Sequence, residues 1–167
     1  MSENKKQIID VTGTVQNYTS CMGCSIKNGE LKPYGNILFE DENFYVCQDF
    51  EVPIVGFIII STKSHLCSIN DFSSDQKVNF IMLVDKVLKA LKTIGVAQEF
   101  ILVQGERNDI HFHTSLFPRK EWMKEKFGRV ISNLKQIQDY AIENMKTPEN
   151  LSEIAKICKL LKEELNK

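Results

Sequence analysis

Apolar and polar positions alternate in short blocks over the first two thirds of the chain, a pattern that predicts a mainly antiparallel sheet. The predicted strands cover residues 8–15, 36–40, 44–48, 55–61, 100–103 and 110–117. The polar break at 41–43 predicts a hairpin. The continuous apolar run at 55–61 is typical of a buried central strand, and Pro118 ends the last one.

Helical spacing of apolar residues recurs twice. A long helix is predicted after N-cap candidates at 71–75 and ends at Gly95. Its predicted apolar positions are Val78, Ile81, Met82, Val84, Val87, Leu88 and Leu91. Two more helices are predicted at 120–146 and 148–166, the second beginning with Thr147 as cap and Pro148 at its first position. The fold class is therefore α+β, with an antiparallel sheet of four or five strands, one long crossover helix and C-terminal helices.

One face of the last predicted helix is apolar. It comprises Leu151, Ile154, Ala155, Cys158, Leu161 and Leu165. Such a face either packs onto its own domain or forms a dimer or partner surface. Packing is favoured, because helix faces usually bury within their own chain.

Composition limits the classes of function. The chain has 167 residues and a net charge of −1, so a single domain is expected, without a basic field for nucleic acid or anionic lipid. The apolar run at 54–60 is too short to span a bilayer, and no secretory leader is evident. We therefore expect a cytoplasmic protein with neither nucleic-acid nor membrane partners. In a reducing compartment the five cysteines argue against a disulfide framework, and Cys47, Cys67 and Cys158 are predicted to be buried apolar residues.

Two cysteines and two histidines suggest a metal site. Cys21 and Cys24 form a Cys-x-x-Cys pair, which can chelate one ion, although alone it could equally be a redox pair or a coincidence. Zinc usually takes four sulfur and nitrogen ligands. His65 and one histidine of the 110–117 strand would complete a Cys2His2 set. All four positions would then be filled by protein, so the zinc would be structural, and iron can occupy similar ligands.

A nucleophile is predicted beside this site. Side chains alternate across a strand, so His111, His113 and Ser115 share one face. One histidine can bind the metal while the next faces a pocket. A neutral imidazole can attack phosphorus when its other nitrogen is hydrogen-bonded. Alternatively, the pair is structural.

These residues together resemble the histidine triad superfamily of nucleotide-binding hydrolases and transferases. The triad signature, His-x-His-x-His with apolar residues between, corresponds to residues 111–117, followed by Pro118 and Arg119. The resemblance covers about residues 20–120. Further features of the family pattern are a strand that ends in a glutamate, at 35–40, and an aspartate at position 49. The turn at 61–65, which ends in His65, and the Cys-x-x-Cys pair found in some members also match.

The resemblance implies a histidine-triad-like domain at 1–120, with its core at about 20–120, and a C-terminal helical extension at 121–167. It implies structural Zn²⁺ held by Cys21, Cys24, His65 and His111. His113 would attack the α-phosphorus of a dinucleoside polyphosphate or nucleoside phosphoramidate, forming a covalent nucleotidyl-histidine that water or another acceptor resolves. The family also implies a homodimer paired through the sheet edge and the long helix.

The remaining site residues are predicted by position. Ser115, in place of the third triad histidine, is a candidate catalytic residue that could donate a hydrogen bond to phosphate. Asp49 stands at the family's ribose-contacting position, and Arg107 could contact phosphate or pair with Glu106 in solvent. Phe39 is predicted to line the nucleotide pocket, with Leu38, Phe50 and Ile58 as further wall residues or core.

Departures from the family pattern define the alternatives. Ser115 replaces a histidine, Phe57 follows Gly56 where the family often has histidine, and Glu106 and Arg107 replace its Gly-Gln. The main alternative to an enzyme is a catalytically impaired nucleotide- or partner-binding module that keeps the zinc-stabilised fold. A zinc-dependent nucleic-acid binder is a weaker alternative, because the chain has no basic stripe.

Overall fold

An antiparallel sheet lies at the centre of the protein. The computed structural model describes residues 5–105 and 110–167. In that part of the chain, five strands form a sheet in the order β3-β4-β5-β7-β6. They are β3 (Phe39–Glu40), β4 (Phe44–Gln48), β5 (Ile58–Thr62), β6 (Phe100–Gly105) and β7 (His113–Pro118). The α+β class, the β3–β4 hairpin and the central place of β5 are confirmed.

β5 begins three residues later than its apolar run. Gly56 has φ +76°, and a Cβ atom there would lie 2.3 Å from Cγ1 of Val96. A residue with a positive φ of this size cannot continue a strand. The chain therefore bends at Gly56 and enters the sheet at Ile58.

One face of the sheet is covered by α2 (Ser74–Thr93) and α5 (Pro148–Leu165). Ser73 caps α2 with a capping box, and Gly95 follows its end with φ +77°, as predicted. Only some of the apolar positions that recur at helical spacing lie on the buried face of α2. Its buried residues are Phe80, Leu83, Val84, Val87, Ala90 and Leu91. Val78, Ile81 and Met82 lie off this stripe and are 61–64% exposed.

The C-terminal helix packs onto the sheet, as the favoured interpretation predicted. Its buried residues join the core cluster that contains Val46, Ile60 and Leu116. These residues are Ile154, Ile157, Cys158, Leu161 and Leu165. Ala155 is exposed. The division of the chain at residue 120 stays a prediction.

The opposite face of the sheet has two separate covers. At one end lie α3 (Glu121–Phe127), a single 3-10 turn (Val130–Ser132) and α4 (Leu134–Asn144), packed on Phe57 and Phe117. The predicted helix at 120–146 is therefore wrong. Gly128 ends α3 with φ +70°, a conformation that no helix continues through.

At the other end lie α1 (Met22–Lys27) and an antiparallel hairpin of β1 (Lys6–Ile9) and β2 (Val15–Tyr18). They pack with Tyr45, Cys47 and Phe50 of the sheet domain. The predicted functional residues lie on this face. No helix in the described ranges has the length and apolar character needed to cross a membrane.

Candidate functional site

The two thiols of the Cys-x-x-Cys pair converge at the beginning of α1. Cys21 is the N-cap residue of this helix, and its Sγ accepts a hydrogen bond from the backbone N–H of Cys24 at 3.4 Å. A cap residue and the residue three positions later lie on the same side of the first turn. The local fold therefore points both sulfur atoms at one place.

Two histidines meet these thiols. Nε2–H of His111 donates to the backbone oxygen of Thr62 at 2.6 Å, which leaves Nδ1 facing Sγ of Cys21 at 3.3 Å and of Cys24 at 3.5 Å. Nδ1 of His65 lies 3.2 Å and 3.5 Å from the same two sulfur atoms. All four ligand atoms lie within 4.8 Å of one another. The structure thus brings together the four predicted metal-ligating residues.

The arrangement fits a tetrahedral zinc ion. With Zn–S about 2.3 Å and Zn–N about 2.05 Å, a tetrahedron has sulfur–nitrogen edges of about 3.6 Å, close to the 3.2–3.5 Å found here. Burial and the neighbouring thiol of Cys21 raise the pKa of Cys24 to about 11, and burial lowers the pKa of His111. A neutral imidazole suits metal binding, and a divalent cation would offset the cost of the thiolates.

Gly23 is the residue that lets α1 approach His111. A Cβ atom at position 23 would lie 2.5 Å from Cγ and 2.8 Å from Nδ1 of the His111 ring. Both groups are buried, so neither has room to move aside. A side chain at position 23 would therefore displace the imidazole from the thiols.

The Gly23→Ala variant is expected to bind zinc about 10- to 100-fold more weakly, the range seen when groups that orient metal ligands are altered. Alanine normally favours a helix over glycine by about 1 kcal/mol, so a loss would report the clash with His111. Competition with a chromophoric chelator measures the affinity. Asn28→Ala, an uncharged and exposed change at the C-terminal end of the same helix, is the matched control. An affinity equal to wild type in Gly23→Ala would contradict this assignment.

His113 is the first residue of β7 and lies two residues after His111. It pairs with Ser61 of β5 and Gly105 of β6, and Ser115 pairs with Ile59 and Val103. His113 Nδ1 lies 3.0 Å from the backbone oxygen of His111. A carbonyl can only accept, so Nδ1 carries the proton, and in the neutral imidazole Nε2 then keeps its lone pair. The orienting carbonyl belongs to the same chain segment, two residues before His113.

A cavity of about 440 Å³ opens over this part of the sheet. His113, Ser115, Ser61 and Tyr45 contribute to its floor. Its other walls are the residues of α1, of the N-terminal hairpin and of the end of β4. They include Lys6, Tyr18, Met22, Ile26, Cys47 and Phe50. The predicted nucleophile therefore faces an open space next to the metal site.

Asp49 also lines the cavity. Its Oδ1 accepts hydrogen bonds from the backbone N–H groups of Glu51 at 3.0 Å and Val52 at 2.8 Å. Burial raises its pKa to about 6 despite these donors. The second carboxyl oxygen remains available to a ligand hydroxyl.

Other predicted pocket residues lie elsewhere. Phe39 pairs with Val46, so it shares the α2 face of the sheet, where the Lys86 ammonium lies 4.4 Å from its ring centre. Leu38 and Ile58 belong to the core on that face. Arg107 lies outside the described residues. Of the predicted wall, the structure therefore brings Phe50 to the cavity and not Phe39.

Sequence reasoning missed the wall residues of the hairpin and α1. Cys47 could have been found, since it lies two residues before Asp49 on a strand and so shares its face. Lys6, Tyr18, Met22 and Ile26 had no such signal. Cys67 was predicted to be buried but is half-exposed, with Sγ 3.7 Å from Nε2 of His65. Cys47 and Cys158 are buried, as predicted.

No family model and no curated protein matches the chain. Among solved structures it is similar to a Zn-bound histidine triad family protein from Mycobacterium smegmatis, with 18% identity and a TM-score of 0.61 over 88% of this chain and 94% of that one. It is also similar to a hypothetical histidine triad nucleotide-binding protein from Sulfolobus tokodaii, with 20% identity and a TM-score of 0.60 over 87% and 92% of the two chains.

A third similar structure is a Hit-like protein involved in cell-cycle regulation from Bartonella henselae, with 17% identity and a TM-score of 0.58 over 84% of this chain and 92% of that one. The three structures share most of their length with this chain. The protein therefore has the fold of histidine triad proteins.

Proposed function

We propose that the protein is a nucleotide hydrolase or nucleotidyltransferase that acts at the α-phosphorus of a nucleotide conjugate. The observation that carries the proposal is the hydrogen bond from His113 to the backbone oxygen of His111. It fixes the tautomer that leaves Nε2 unprotonated beside the cavity. A histidine held in this way is prepared for nucleophilic attack.

The cavity suits a nucleotide. Its volume of about 440 Å³ lies in the range of small-ligand sites. Met22, Ile26 and Phe50 offer an apolar surface for a base. The free oxygen of Asp49 is an acceptor for a ribose hydroxyl, which would leave the α-phosphate toward His113.

The proposed reaction has two steps. Nε2 of His113 attacks the α-phosphorus, an N–P bond forms, and the bond to the leaving group breaks with its electron pair going to that group. Nδ1–H of His113 stays hydrogen-bonded to the backbone oxygen of His111. This hydrogen bond stabilises the positive charge that develops on the His113 ring. Water or another acceptor then takes the nucleotide and frees His113. Ser115 can donate its hydroxyl to a phosphate oxygen.

Zinc would have a structural role. Its four ligands come from the beginning of α1, the segment after β5 and the segment before β7, and a bound ion supplies a crosslink between them. The similar structure from M. smegmatis is described as Zn-bound. The five cysteines are free, which suits a cytoplasmic site of action.

A homodimer is part of the proposal. In the described sheet, β6 is the longer edge strand, and no described strand covers its outer side. Leu102 and Val103 are 49% and 42% exposed there. Leu102 pairs with Leu116 and so faces the side of α2, where Val78 and Ile81 are also exposed. A second copy would cover both the strand edge and this apolar surface.

Leu102→Lys is therefore expected to yield a monomer where the wild type is a dimer at tens of micromolar, because it places a charge on the shared surface. Sedimentation velocity measures the state. Ile131→Lys, an exposed position 57% accessible on the 3-10 turn after α3, is the matched control and should stay dimeric. A monomeric wild type would contradict the proposed homodimer but would not bear on the proposed reaction at His113.

The function is tested by intact-protein mass spectrometry after brief mixing with diadenosine tetraphosphate or adenosine phosphoramidate. The expected result is an added nucleotidyl mass on wild type, mapped to the peptide that contains His113, and no adduct on His113→Ala. Nucleotide binding without adduct or released product would overturn the catalytic proposal.

That second outcome corresponds to a specific alternative. Ser115 stands where the family has a third histidine, and a serine hydroxyl is a poor proton donor for a leaving group. A binding module that keeps the zinc-held fold would bind AMP in wild type, yet wild type would form no nucleotidyl adduct and release no nucleotide. Turnover by wild type excludes this alternative.

A further inference from the structure

Tyr45, Ser61 and His113 form a row across three adjacent strands on the floor of the cavity. Tyr45 of β4 pairs directly with Ser61 of β5, and Ser61 pairs directly with His113 of β7. Residues opposite each other on one face of an antiparallel pair have Cβ atoms about 4.5–5.5 Å apart. The Ser61 hydroxyl is therefore the direct neighbour of the proposed nucleophile, and the Tyr45 phenol lies one strand farther away.

The Tyr45 phenol holds the Cys-x-x-Cys turn. Its hydroxyl donates to the backbone oxygen of Gly23 at 3.2 Å in a buried hydrogen bond. Gly23 lies between the two cysteines in the first turn of α1, so a bond to its carbonyl fixes the backbone that carries both thiols. Tyr45 is 1% exposed, and burial raises its pKa above its usual range. The phenol therefore stays protonated and remains a donor.

The Ser61 hydroxyl holds the segment that carries the other partners of the site. It donates to the backbone oxygen of Phe112 at 3.1 Å, and this hydrogen bond is also buried. The same oxygen accepts from the backbone N–H of Thr62 at 3.4 Å, just beyond the last pair of the β5–β7 ladder, Ser61 with His113. The side-chain bond is thus the shorter of these two attachments at the point where the regular ladder ends.

The two hydroxyl groups act on corresponding positions of two different segments. Gly23 lies between the two cysteine ligands, and Phe112 lies between His111 and His113. The backbone oxygen of His111, one peptide unit before that of Phe112, accepts Nδ1–H of His113. A bond that fixes the Phe112 carbonyl therefore steadies the backbone that aims both imidazole rings.

We infer that Tyr45 and Ser61 are positioning residues, one holding the Cys-x-x-Cys turn and the other the segment 111–113. Because their side chains stand next to each other on paired strands, the sheet itself sets the distance between the thiols and the imidazoles. Groups that orient the ligands of a metal raise its affinity, since the ligands are ordered before the ion binds. The effect on zinc is independent of the proposed function, whereas the effect on His113 as a nucleophile rests on it.

The phenol is tested by the zinc affinity of Tyr45→Phe, measured by competition with a chromophoric chelator. This variant removes one oxygen atom and keeps the ring that packs in the core. It should bind zinc about 10- to 100-fold more weakly than wild type. Tyr140→Phe, the same change in α4 and outside the cavity, is the matched control and should keep the wild-type affinity.

The serine is tested by a pair of variants that differ in the hydroxyl. Ser61→Ala should also bind zinc about 10- to 100-fold more weakly. Ser61→Thr keeps a hydroxyl group, its added methyl group can extend into the cavity that position 61 lines, and a β-branched residue suits a strand. Ser61→Thr should therefore bind zinc nearly as tightly as wild type. An affinity as weak as that of Ser61→Ala would show that the hydroxyl bond is not the cause.

The unfolding temperature of the metal-free proteins separates positioning from packing. A positioning role predicts that Tyr45→Phe and Ser61→Ala lose zinc affinity beyond any change in the stability of the metal-free chain. Variants that unfold at a lower temperature without metal yet bind zinc as tightly as wild type would overturn the inference. In that case each hydroxyl would only stabilise the core.

The effect on the nucleophile is read at saturating zinc, by single-turnover nucleotidylation of His113 with diadenosine tetraphosphate. Ser61→Ala should react about 10- to 100-fold more slowly than wild type, and Ser61→Thr should recover most of the loss. A wild-type rate in Ser61→Ala would overturn the role of Ser61 at the nucleophile. A wild type that forms no adduct would contradict the proposed function instead, and the zinc affinities would still decide whether the two hydroxyls position the ligands.

Discussion

Replacing His113 by alanine is expected to lower the rate of nucleotidyl transfer by at least about 10⁴-fold, because nucleophiles that act with a positioned partner carry losses of this size. Nε2 of His113 is the one uncommitted imidazole nitrogen that the structure places on the cavity floor. Neither Ser61 nor Tyr45 can replace it, since each donates to a backbone oxygen. Single-turnover release of AMP from diadenosine tetraphosphate measures the rate.

The matched control is His113→Asn. An asparagine amide can still donate to the backbone oxygen of His111 but offers no nucleophilic nitrogen. Both variants should therefore be equally inactive, while the affinity for AMP and the unfolding temperature stay close to wild type. A turnover in either variant within tenfold of wild type would contradict a covalent role for His113.

The chemistry of the site could be predicted because it depends on short-range spacing. The two-residue period of a strand places His111, His113 and Ser115 on one face, and the register of β5, β6 and β7 agrees for His113 and Ser115. A cysteine at the helix cap and another three residues later converge on any first turn. The structure accordingly brings these thiols to His65 and His111.

The walls of the cavity depend on long-range pairing, which spacing does not encode. Phe39 has a reasonable position in sequence, yet pairing with Val46 turns it to the far side of the sheet. A register shifted by one residue would have turned it the other way. Lys6 and Tyr18 reach the cavity because the hairpin packs on Phe50, with Val11 N–H donating to its backbone oxygen at 2.9 Å.

The helical errors have a different cause. Apolar residues at Val78, Ile81 and Met82 continue the helical period of α2, and periodicity alone does not tell which of the apolar positions are buried. The structure exposes them, which is what a surface shared with a second copy requires. The break at Gly128 was missed because a single glycine is compatible with a helix, and only its φ of +70° shows that it ends one.

Loss of the metal site is expected to be the most destabilising change. Cys24→Ser removes one of four ligands that join α1 to the segments around β5 and β7. An ion present at about 1,000 times its Kd adds about 4 kcal/mol to the free energy of unfolding. In a chain of this length, 1 kcal/mol shifts the unfolding temperature by about 2–4 °C, so we expect a decrease of about 8–16 °C, measured by calorimetry.

Cys67→Ser is the matched control, because Cys67 is not one of the four ligands and a serine hydroxyl can still hydrogen-bond to Nε2 of His65, which its sulfur contacts at 3.7 Å. The same chemical change there should alter the unfolding temperature by only a few degrees. A strong chelator should lower the unfolding temperatures of the wild type and of Cys67→Ser to that of Cys24→Ser. It should leave the unfolding temperature of Cys24→Ser unchanged, because that variant no longer binds the ion. A wild-type protein purified with zinc that keeps its unfolding temperature under the chelator would show that the four ligands do not hold the fold together. If the ion acts as a crosslink, the effects of Cys24→Ser and of the chelator on the unfolding temperature should not add. If serine at position 24 caused only a local defect, the two effects would add.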